Sequence, residues 1–451
     1  MNEKDSLDFN RRDFLRGGSL ATLMTMLGGV ELIAQTTNAP GGADQPKGPR
    51  VKVGVIGVGP WGREILNTLA RLPQAEVVAV CDTYTAMANR GAKLAPGSTA
   101  TPEYKTILDN KDIAAVVIAT PTHLHKDIAI AALKAGKHVY CEAPLAHTIE
   151  DARAIAQAAK AAPGLVFQAG LQMRSDPQRH FLLPFIRSGA LGKSVMARAQ
   201  YHKKQTWRQT SPNPEREKAV NWRLDKETSL GLVGELGCHP IDQVTWYFNG
   251  LPKAVTGFGS IILHQDGRTV PDTVQAVLEF PAGVNMIYHA TLANSFDAEY
   301  EMLYGSDAAV MMRESKAWMF KEVDSPLLGW EVYARKETFY KETGIALVAG
   351  ASKSSPDAPP KEEEPFTNTP LSFALGNFLR NASDVSIATK DFVEISGDDP
   401  EGLKEHLSKL PRQPGAGYVE GYQSTLIAIK ANEAIMTGKR VEIKPEMYEL
   451  T

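Results

Sequence analysis

The sequence has 451 residues, 43% of them hydrophobic and 22% charged, with 49 lysines and arginines against 52 aspartates and glutamates. That length suits two or three domains, and a formal net charge of -3 excludes the basic field that nucleic acid or an anionic membrane would attract. Three cysteines, Cys81, Cys141 and Cys238, lie far apart without a CxxC pair, which excludes a disulfide framework and a zinc knuckle.

The first 39 residues carry the parts of a bacterial export signal. Arg11 and Arg12 precede Asp13, Phe14 and Leu15, a weakly apolar run follows over 17–34, and the small, polar "QTTNAPGGADQPKG" closes the segment. Adjacent arginines ahead of such a run indicate the twin-arginine route. Glycines, threonines and Glu31 make the run a poor membrane span. Residues 1–39 are therefore expected to be a twin-arginine signal cut near Ala39, with an uncleaved anchor or a disordered tail as alternatives, and 40–50 a linker. The expected destination is periplasmic or extracytoplasmic, and the translocase is a partner during export.

"VKVGVIG", at 51–57, is a continuous β-branched run and predicts a buried strand; "REILNTLARL" predicts the amphipathic helix after it. Between them Gly57, Gly59 and Gly62 stand in G-x-G-x-x-G spacing, with Pro60 and Trp61 inside the motif. The first glycine permits a tight turn, the second lets backbone approach a pyrophosphate, and the third lets helix pack on strand. "AEVVAVCD" predicts a second strand ending in Asp82, 20 residues after Gly62, where a carboxylate accepts hydrogen bonds from ribose hydroxyls. The same aspartate also suits a cap or turn. Because a carboxylate repels a 2′-phosphate, NAD is favoured over NADP.

"IAAVVIATPTHLH" and "KHVYCEAP" predict further buried strands, with "KDIAIAALKAG" as the helix between them. This alternation implies α/β architecture with a doubly wound parallel sheet, whose ligands sit at the carboxyl ends of the strands. Those ends carry Gly57, Asp82, Thr120, Pro121, His123, His125, Glu142 and Pro144.

Over about 51–325 and 416–443 the chain resembles the glucose-fructose oxidoreductase / inositol dehydrogenase / rhizopine catabolism (Gfo/Idh/MocA) family. The resemblance rests on "GVIGVGPWG", "ATPTHLHKDIAIAALKAGKHVYCEAP", "GALGK" and "GELGCHPIDQVTWYF". It implies a Rossmann domain over 51–170 and a substrate and oligomerisation domain over 171–451, with a large, mostly antiparallel open sheet covered by another subunit. A homodimer or homotetramer is expected. "SVMARAQYHK", "AVTGFGSIIL", "TVQAVLEF", "VNMIYHATL", "EYEMLYG" and "AAVMMRE" independently predict short strands, with a hairpin turn at "FPAGV". By the resemblance, Gly57, Gly59, Pro60, Trp61, Gly62, Asp82, Thr120, Pro121, His125 and Glu142 form the cofactor site, for a tightly bound NAD or NADP.

The resemblance also implies a lysine in an "EKP" motif that hydrogen-bonds the substrate hydroxyl, and a D-x-x-x-H motif whose histidine takes its proton. Here the first motif reads Glu142, Ala143, Pro144, without the lysine, and the second reads Glu235 to His239, followed by Asp242. On one helix, 235 and 239 would lie a turn apart. Glu235 would then raise the pKa of His239 and orient it as a general base. Read alone, His239 is a hydrogen-bonded core histidine, Cys238 a packing residue and Asp242 a cap or an orienting group. Lys203, Lys204 and Arg174 are candidate replacements for the lysine; chemistry other than simple alcohol oxidation, or binding without turnover, would also account for its absence.

Arg174, Tyr201, Lys203, Trp222, Arg223 and Asp242 are the expected substrate contacts. "YHKKQTW", with His202 and Trp207, and "NWRLD" mix aromatic and polar groups as sugar sites do, although packed strand ends look similar. No His/Cys/Asp set has metal-ligand spacing. Residues 326–415 are expected to be an insert with a polar, proline-rich loop; "PLSFALGNFLRNASD" reads as a helix, and "GYQSTLIAIKANEAIMTGKRVEI" as a helix ending at Gly438 before a strand. The expected function is an exported NAD(P)-dependent oxidoreductase acting on sugars with a trapped, recycled cofactor. The alternatives are a redox-neutral glycoside hydrolase or lyase working by oxidation and elimination, and a non-catalytic sugar-binding protein.

Overall fold

The computed structural model describes residues 50–314, 316–328, 336–339, 342–346 and 368–450. The expected export signal, nearly all of the linker and the polar loop at 347–367 lie outside them.

Six strands form the first sheet: β1 (Val51–Ile56), β2 (Ala75–Cys81), β3 (Thr99–Thr101), β4 (Ala115–Ile118), β5 (His138–Cys141) and β6 (Phe167–Ala169). Their order is β3-β2-β1-β4-β5-β6, and every pairing is parallel, as in the doubly wound dinucleotide fold. Parallel strands need crossovers, here the helices α1 (Pro60–Leu69), α2 (Thr85–Leu94), α3 (Tyr104–Asp109), α4 (His125–Lys134) and α5 (Ile149–Lys160). Covered on both faces, the central strands are apolar throughout; Val116, Val117 and Ile118 are fully enclosed.

The second half contains α6 (Pro177–Arg187), β7 (Ser194–His202), α7 (Gly231–Glu235), α8 (Cys238–Phe248), β8 (Ala254–Ser260), β9 (Thr273–Glu279), β10 (Asn285–Thr291), β11 (Glu299–Gly305), β12 (Ala308–Arg313) and β13 (Lys316–Lys321). It continues with β14 (Lys336–Phe339), β15 (Glu342–Ala346), α9 (Pro370–Ser396), α10 (Pro400–Ser408), α11 (Tyr418–Thr437) and β16 (Val441–Glu442). Its ten-stranded sheet runs β14-β15-β13-β12-β11-β7-β10-β9-β8-β16. All pairings are antiparallel except β7 with β10. Period-two alternation sends Val274, Ala276 and Leu278 of β9 and Met286, Tyr288 and Ala290 of β10 into the core. The opposite face exposes Phe258, Val277 and Ile287, with Val277 and Ile287 directly paired.

One core cluster runs from Ile56 and Ile118 of the first sheet through Tyr422, Leu426 and Ile427 of α11 to Met286 and Tyr288 of the second. The 326–415 stretch, expected as an insert of the second domain, instead contributes α9 to the first. Thr369 caps α9 by accepting the Ser372 N–H and Pro370 opens it. Leu371, Ala374, Leu375, Phe378 and Leu379, spaced for one helical face, pack on Val51, Val53, Val55, Val117 and Tyr140. The His138 ring links this helix to the sheet: Nδ1 accepts the Val166 N–H at 2.9 Å, and Nε2 lies 2.9 Å from the Ser386 hydroxyl.

Phe378→Ala removes the largest side chain of that stripe, fully buried against the Tyr140 ring at 5.7 Å. It is expected to destabilise the protein by about 3–5 kcal/mol, measured by urea denaturation; a loss below about 1 kcal/mol would show that α9 does not cover the sheet.

Candidate functional site

At the carboxyl ends of the parallel strands, a single cleft of about 1580 Å³ opens between the two sheets. This exceeds the roughly 300–1,000 Å³ of a site for one small ligand. It is lined along the strand order by Asp82 beyond β2, Gly57 and Gly59 beyond β1, Thr120, Pro121 and His125 beyond β4, and Glu142 beyond β5. Tyr201, Lys203, Trp207, Trp222, Arg223, Glu235 and His239 line it from the second half of the chain.

The glycine turn has a different constraint at each position. Gly57 adopts φ +96°, and a Cβ there would lie 2.5 Å from the Ala119 carbonyl oxygen. A Cβ on Gly62 would run into the Gly57 carbonyl oxygen, whereas one on Gly59 would meet nothing within 4 Å and would stand in the open cleft. Gly59 caps α1 without a side chain, and Pro60 opens the helix beside Trp61. The cradle therefore has bare backbone where a phosphate would approach the helix N-terminus, and it fits a dinucleotide. Asp82 braces the turn: Oδ2 accepts the Val58 N–H at 3.0 Å and Oδ1 the Tyr84 N–H at 2.9 Å. Each oxygen keeps a second lone pair for a ligand hydroxyl.

The next two strand ends are joined by a buried histidine. His125 Nε2 lies 2.9 Å from the Thr120 carbonyl oxygen and Nδ1 3.1 Å from that of Pro144. Burial lowers its pKa to about 4, opposed by hydrogen bonding to these carbonyls; the neutral ring donates to only one of the two at a time. Glu142 is buried with Oε1 unpartnered. Burial raises its pKa to about 7, opposed by hydrogen bonds from the Trp61 side chain and the Ala143 N–H and by the charge of Arg223. Gly170 makes room for it, since a Cβ there would lie 2.5 Å from Glu142 Oε2.

Glu235 and His239 both reach the cleft, but not on one helical face. The glycines of "GLVGELG" interrupt the helix: α7 ends at Glu235, Leu236 leaves helical geometry at φ −121°, and α8 begins at Cys238. A Cβ on Gly237 would lie 2.5 Å from the Val233 carbonyl oxygen and 2.9 Å from the Tyr288 ring, so this packing admits glycine alone. Glu235 turns toward Thr122 Oγ1 (3.0 Å), the Leu230 N–H (3.2 Å) and Ser229 Oγ (3.3 Å), all of which donate to it. Burial raises its pKa. The expected upward shift of His239 is corrected accordingly: burial, with no opposing charge, lowers it to about 4, and the ring is a neutral proton acceptor at pH 7.

Arg174 and Asp242 are also corrected. The Arg174 guanidinium binds both Asp242 oxygens, at 2.8 and 2.9 Å, and covers the Trp246 ring at 5.3 Å. The side chains are 15% and 4% exposed and neither lines the cleft. An aspartate inside α8 keeps its charge in the core only with such a partner, so this arginine is structural. Lys203 lines the cleft opposite Glu299, while Lys204 does not line it.

Arg223 was expected only as a substrate contact. Its guanidinium lies 4.9 Å from the Trp222 ring and 5.9 Å from the Trp207 ring, and its charge opposes the upward pKa shifts of Glu142, Glu235 and Tyr201. Sequence reasoning missed a buried wall of Arg179, Gln243 and Glu301, in which Glu301 accepts from Arg179 at 3.1 Å and from Gln243 at 2.9 Å. The signal for Gln243 was its position four residues after His239, one turn along α8. Among the described residues no group of three His, Cys, Asp or Glu could hold a metal ion, and no helix is long and apolar enough to cross a membrane.

Gly170→Ala is expected to displace Glu142 and cost about 1–3 kcal/mol, the range for overpacking, measured by urea denaturation; an unchanged midpoint would mean that the Glu142 carboxyl is free to move.

Residues 51–170 match the family model described as "Oxidoreductase family, NAD-binding Rossmann fold", and 184–310 match "GFO/IDH/MocA C-terminal domain". Levoglucosan dehydrogenase of Pseudarthrobacter phenanthrenivorans is 33% identical over 176 residues, covering 39% of this chain and 43% of that protein. The chain thus spans less than half the length of that relative in the match. The 2,7-anhydro-N-acetylneuraminate hydratase of Escherichia coli is 26% identical over 264 residues, 58% of this chain and 67% of the hydratase. Among solved structures, levoglucosan dehydrogenase in complex with NADH and L-sorbose superposes with a TM-score of 0.65 at 22% identity, over 88% of this chain and 99% of that one. Two family models that together cover more than half of the sequence show that the chain belongs to the Gfo/Idh/MocA oxidoreductase family.

Proposed function

We propose that this protein is an exported, NAD-dependent oxidoreductase acting on a sugar or sugar derivative with a cofactor retained through the catalytic cycle. The observation that carries this reading is the one cleft that joins the glycine cradle and Asp82 to His239, Arg223 and the tryptophans. Asp82 favours NAD over NADP by charge repulsion of a 2′-phosphate. The names of the relatives support sugar chemistry: a dehydrogenase of levoglucosan and a hydratase of an anhydrosugar acid.

Trp207 and Trp222 offer ring faces for the apolar face of a sugar. NAD, when bound, would supply the hydride acceptor. Neutral His239 takes the hydroxyl proton as the C–H bond gives up its electron pair, and Arg223 stabilises the negative charge growing on that oxygen. Position 143 provides no cation, and Arg223 is the cleft cation whose charge reaches Glu142, Glu235 and Tyr201 together. Arg179 is paired with Glu301, and Lys203 faces Glu299.

A second reading, oxidation followed by elimination and return of the hydride, is favoured by Glu142, whose carboxyl near pH 7 is suited to hand a proton to a leaving oxygen. Export rests on Arg11 and Arg12 ahead of the apolar run. Retention of the cofactor follows from it, since outside the cytoplasm no nucleotide pool replaces what is released. The exposed face bearing Phe258, Val277 and Ile287 suits a homo-oligomeric contact.

Protein purified without added nucleotide and then denatured is expected to release stoichiometric NAD, identified by mass and absorbance; an empty protein that also fails to bind added NAD would overturn the reading. His239→Ala should lower hydride transfer to a sugar about 10²- to 10⁴-fold with nucleotide still bound. Arg223→Ala should slow the reaction similarly. Removing that cation raises the pKa of Glu142, so where Glu142 donates the proton, as in the second reading, the alkaline limb of the pH–rate profile should move to higher pH; a rate and profile both unchanged would remove Arg223 from the reacting centre.

A further inference from the structure

The segment between β7 and the 3₁₀ turn at Trp222–Leu224 crosses from the second half of the chain toward the nucleotide-binding half. It is fastened at its base: Asn221 accepts the Gln209 N–H at 2.7 Å and donates to the Gln209 carbonyl at 3.1 Å, and Arg208 reaches Asp266 at 3.3 Å. Near its end the 3₁₀ turn Pro214–Arg216 is capped by Asn213, whose side chain accepts the Arg216 N–H at 3.0 Å. The turn presents the Arg216 guanidinium 4.0 Å from the centre of the Tyr84 ring.

Tyr84 lies two residues beyond Asp82 and is tied to it by its N–H. The contact therefore spans the cleft at the position where the second strand delivers its carboxylate. Arg216 and Tyr84 both line the cleft, as does Arg90 of α2. Arg216 Nε is buried without a partner, so the side chain is held by stacking and retains hydrogen-bond donors.

We propose that Arg216, stacked on Tyr84, is a cofactor-binding residue that clasps the adenosine half of the dinucleotide from the second half of the chain. The inference rests on the nucleotide reading above and deepens it. The glycine cradle and Asp82 hold the cofactor from one side only, whereas Arg216 closes over it from the other, and the cofactor cannot leave without parting the stack. A guanidinium over a tyrosine face is a modest attraction, of the size that slows escape without preventing loading.

The test is release of NADH from the full-length protein, followed by its fluorescence after mixing with excess NAD. Arg216→Ala and Arg216→Gln should release NADH about tenfold faster than the wild type. Tyr84→Ala should do the same, and the double variant should be no faster than either single one, because both remove one stack. Unaltered release in the two Arg216 variants, or additive effects in the double variant, would overturn the clasp while leaving the nucleotide reading intact. Acceleration confined to NADPH would make Arg216 a 2′-phosphate contact and would overturn it as well. A wild-type protein that binds neither nucleotide overturns both readings. Unchanged thermal midpoints in the variants separate loss of the clasp from loss of the fold.

Discussion

Desolvation at the carboxyl edge of the parallel sheet governs this site. A sheet with helices on both faces brings the ends of β1, β2, β4 and β5 to a single edge, where chain turns and polar side chains gather in a poorly hydrated space. Burial then acts in opposite directions on the two kinds of titratable group. It lowers His125 and His239 to about 4, and raises Glu142 to about 7. The cleft thus holds neutral imidazoles and a carboxyl near its titration point at pH 7. Hydrogen bonds from Trp61 and Ala143 oppose the upward shift of Glu142, and the charge of Arg223, which rests on the tryptophan rings, opposes those of both Glu142 and Glu235.

Packing converts that chemistry into fixed geometry. Because α11 belongs to the cluster that joins both sheets, the cleft walls are parts of one continuous close-packed core. Three long-range hydrogen bonds carry the same rigidity into the site. Thr122 at the end of β4 reaches Glu235, Ser424 of α11 donates to the Cys238 carbonyl, and Thr425 accepts the Leu145 N–H beyond β5. The segment between α7 and α8 is therefore held to the nucleotide half and to the C-terminal helix at once.

Patterns that depend on local periodicity were legible in the sequence. The glycine spacing, the β-branched runs ending in Asp82 and Glu142, and the alternation of β7 to β12 each follow from a repeat of two or from a single turn. Features that depend on partners distant in sequence were not. Glu235 and His239 looked like one helical face because the motif was read as continuous helix, but Gly237 must fit against Val233 and Tyr288, and the helix breaks there. Arg174 looked available to substrate because nothing nearby in sequence showed that Asp242, on α8, would bind its guanidinium with both carboxylate oxygens. The start of α9 was legible as a helix, yet only the folded chain shows that its apolar stripe covers a sheet begun more than 300 residues earlier.

The charge distribution in the cleft links the reaction to retention of the cofactor. At the substrate end Arg179 is paired with Glu301, and the charge of Lys203 acts on Glu299, while Arg223 and Arg216 rest on aromatic rings. Stacking holds a guanidinium in place while leaving its N–H donors free, so these two arginines retain full capacity for a ligand. One stands beside the buried carboxyls where charge develops in the reaction, and the other stands over Tyr84 at the adenosine end. Under the proposed function, with a retained cofactor, the first cation would serve the changing substrate and the second would keep the unchanging part of the nucleotide in place.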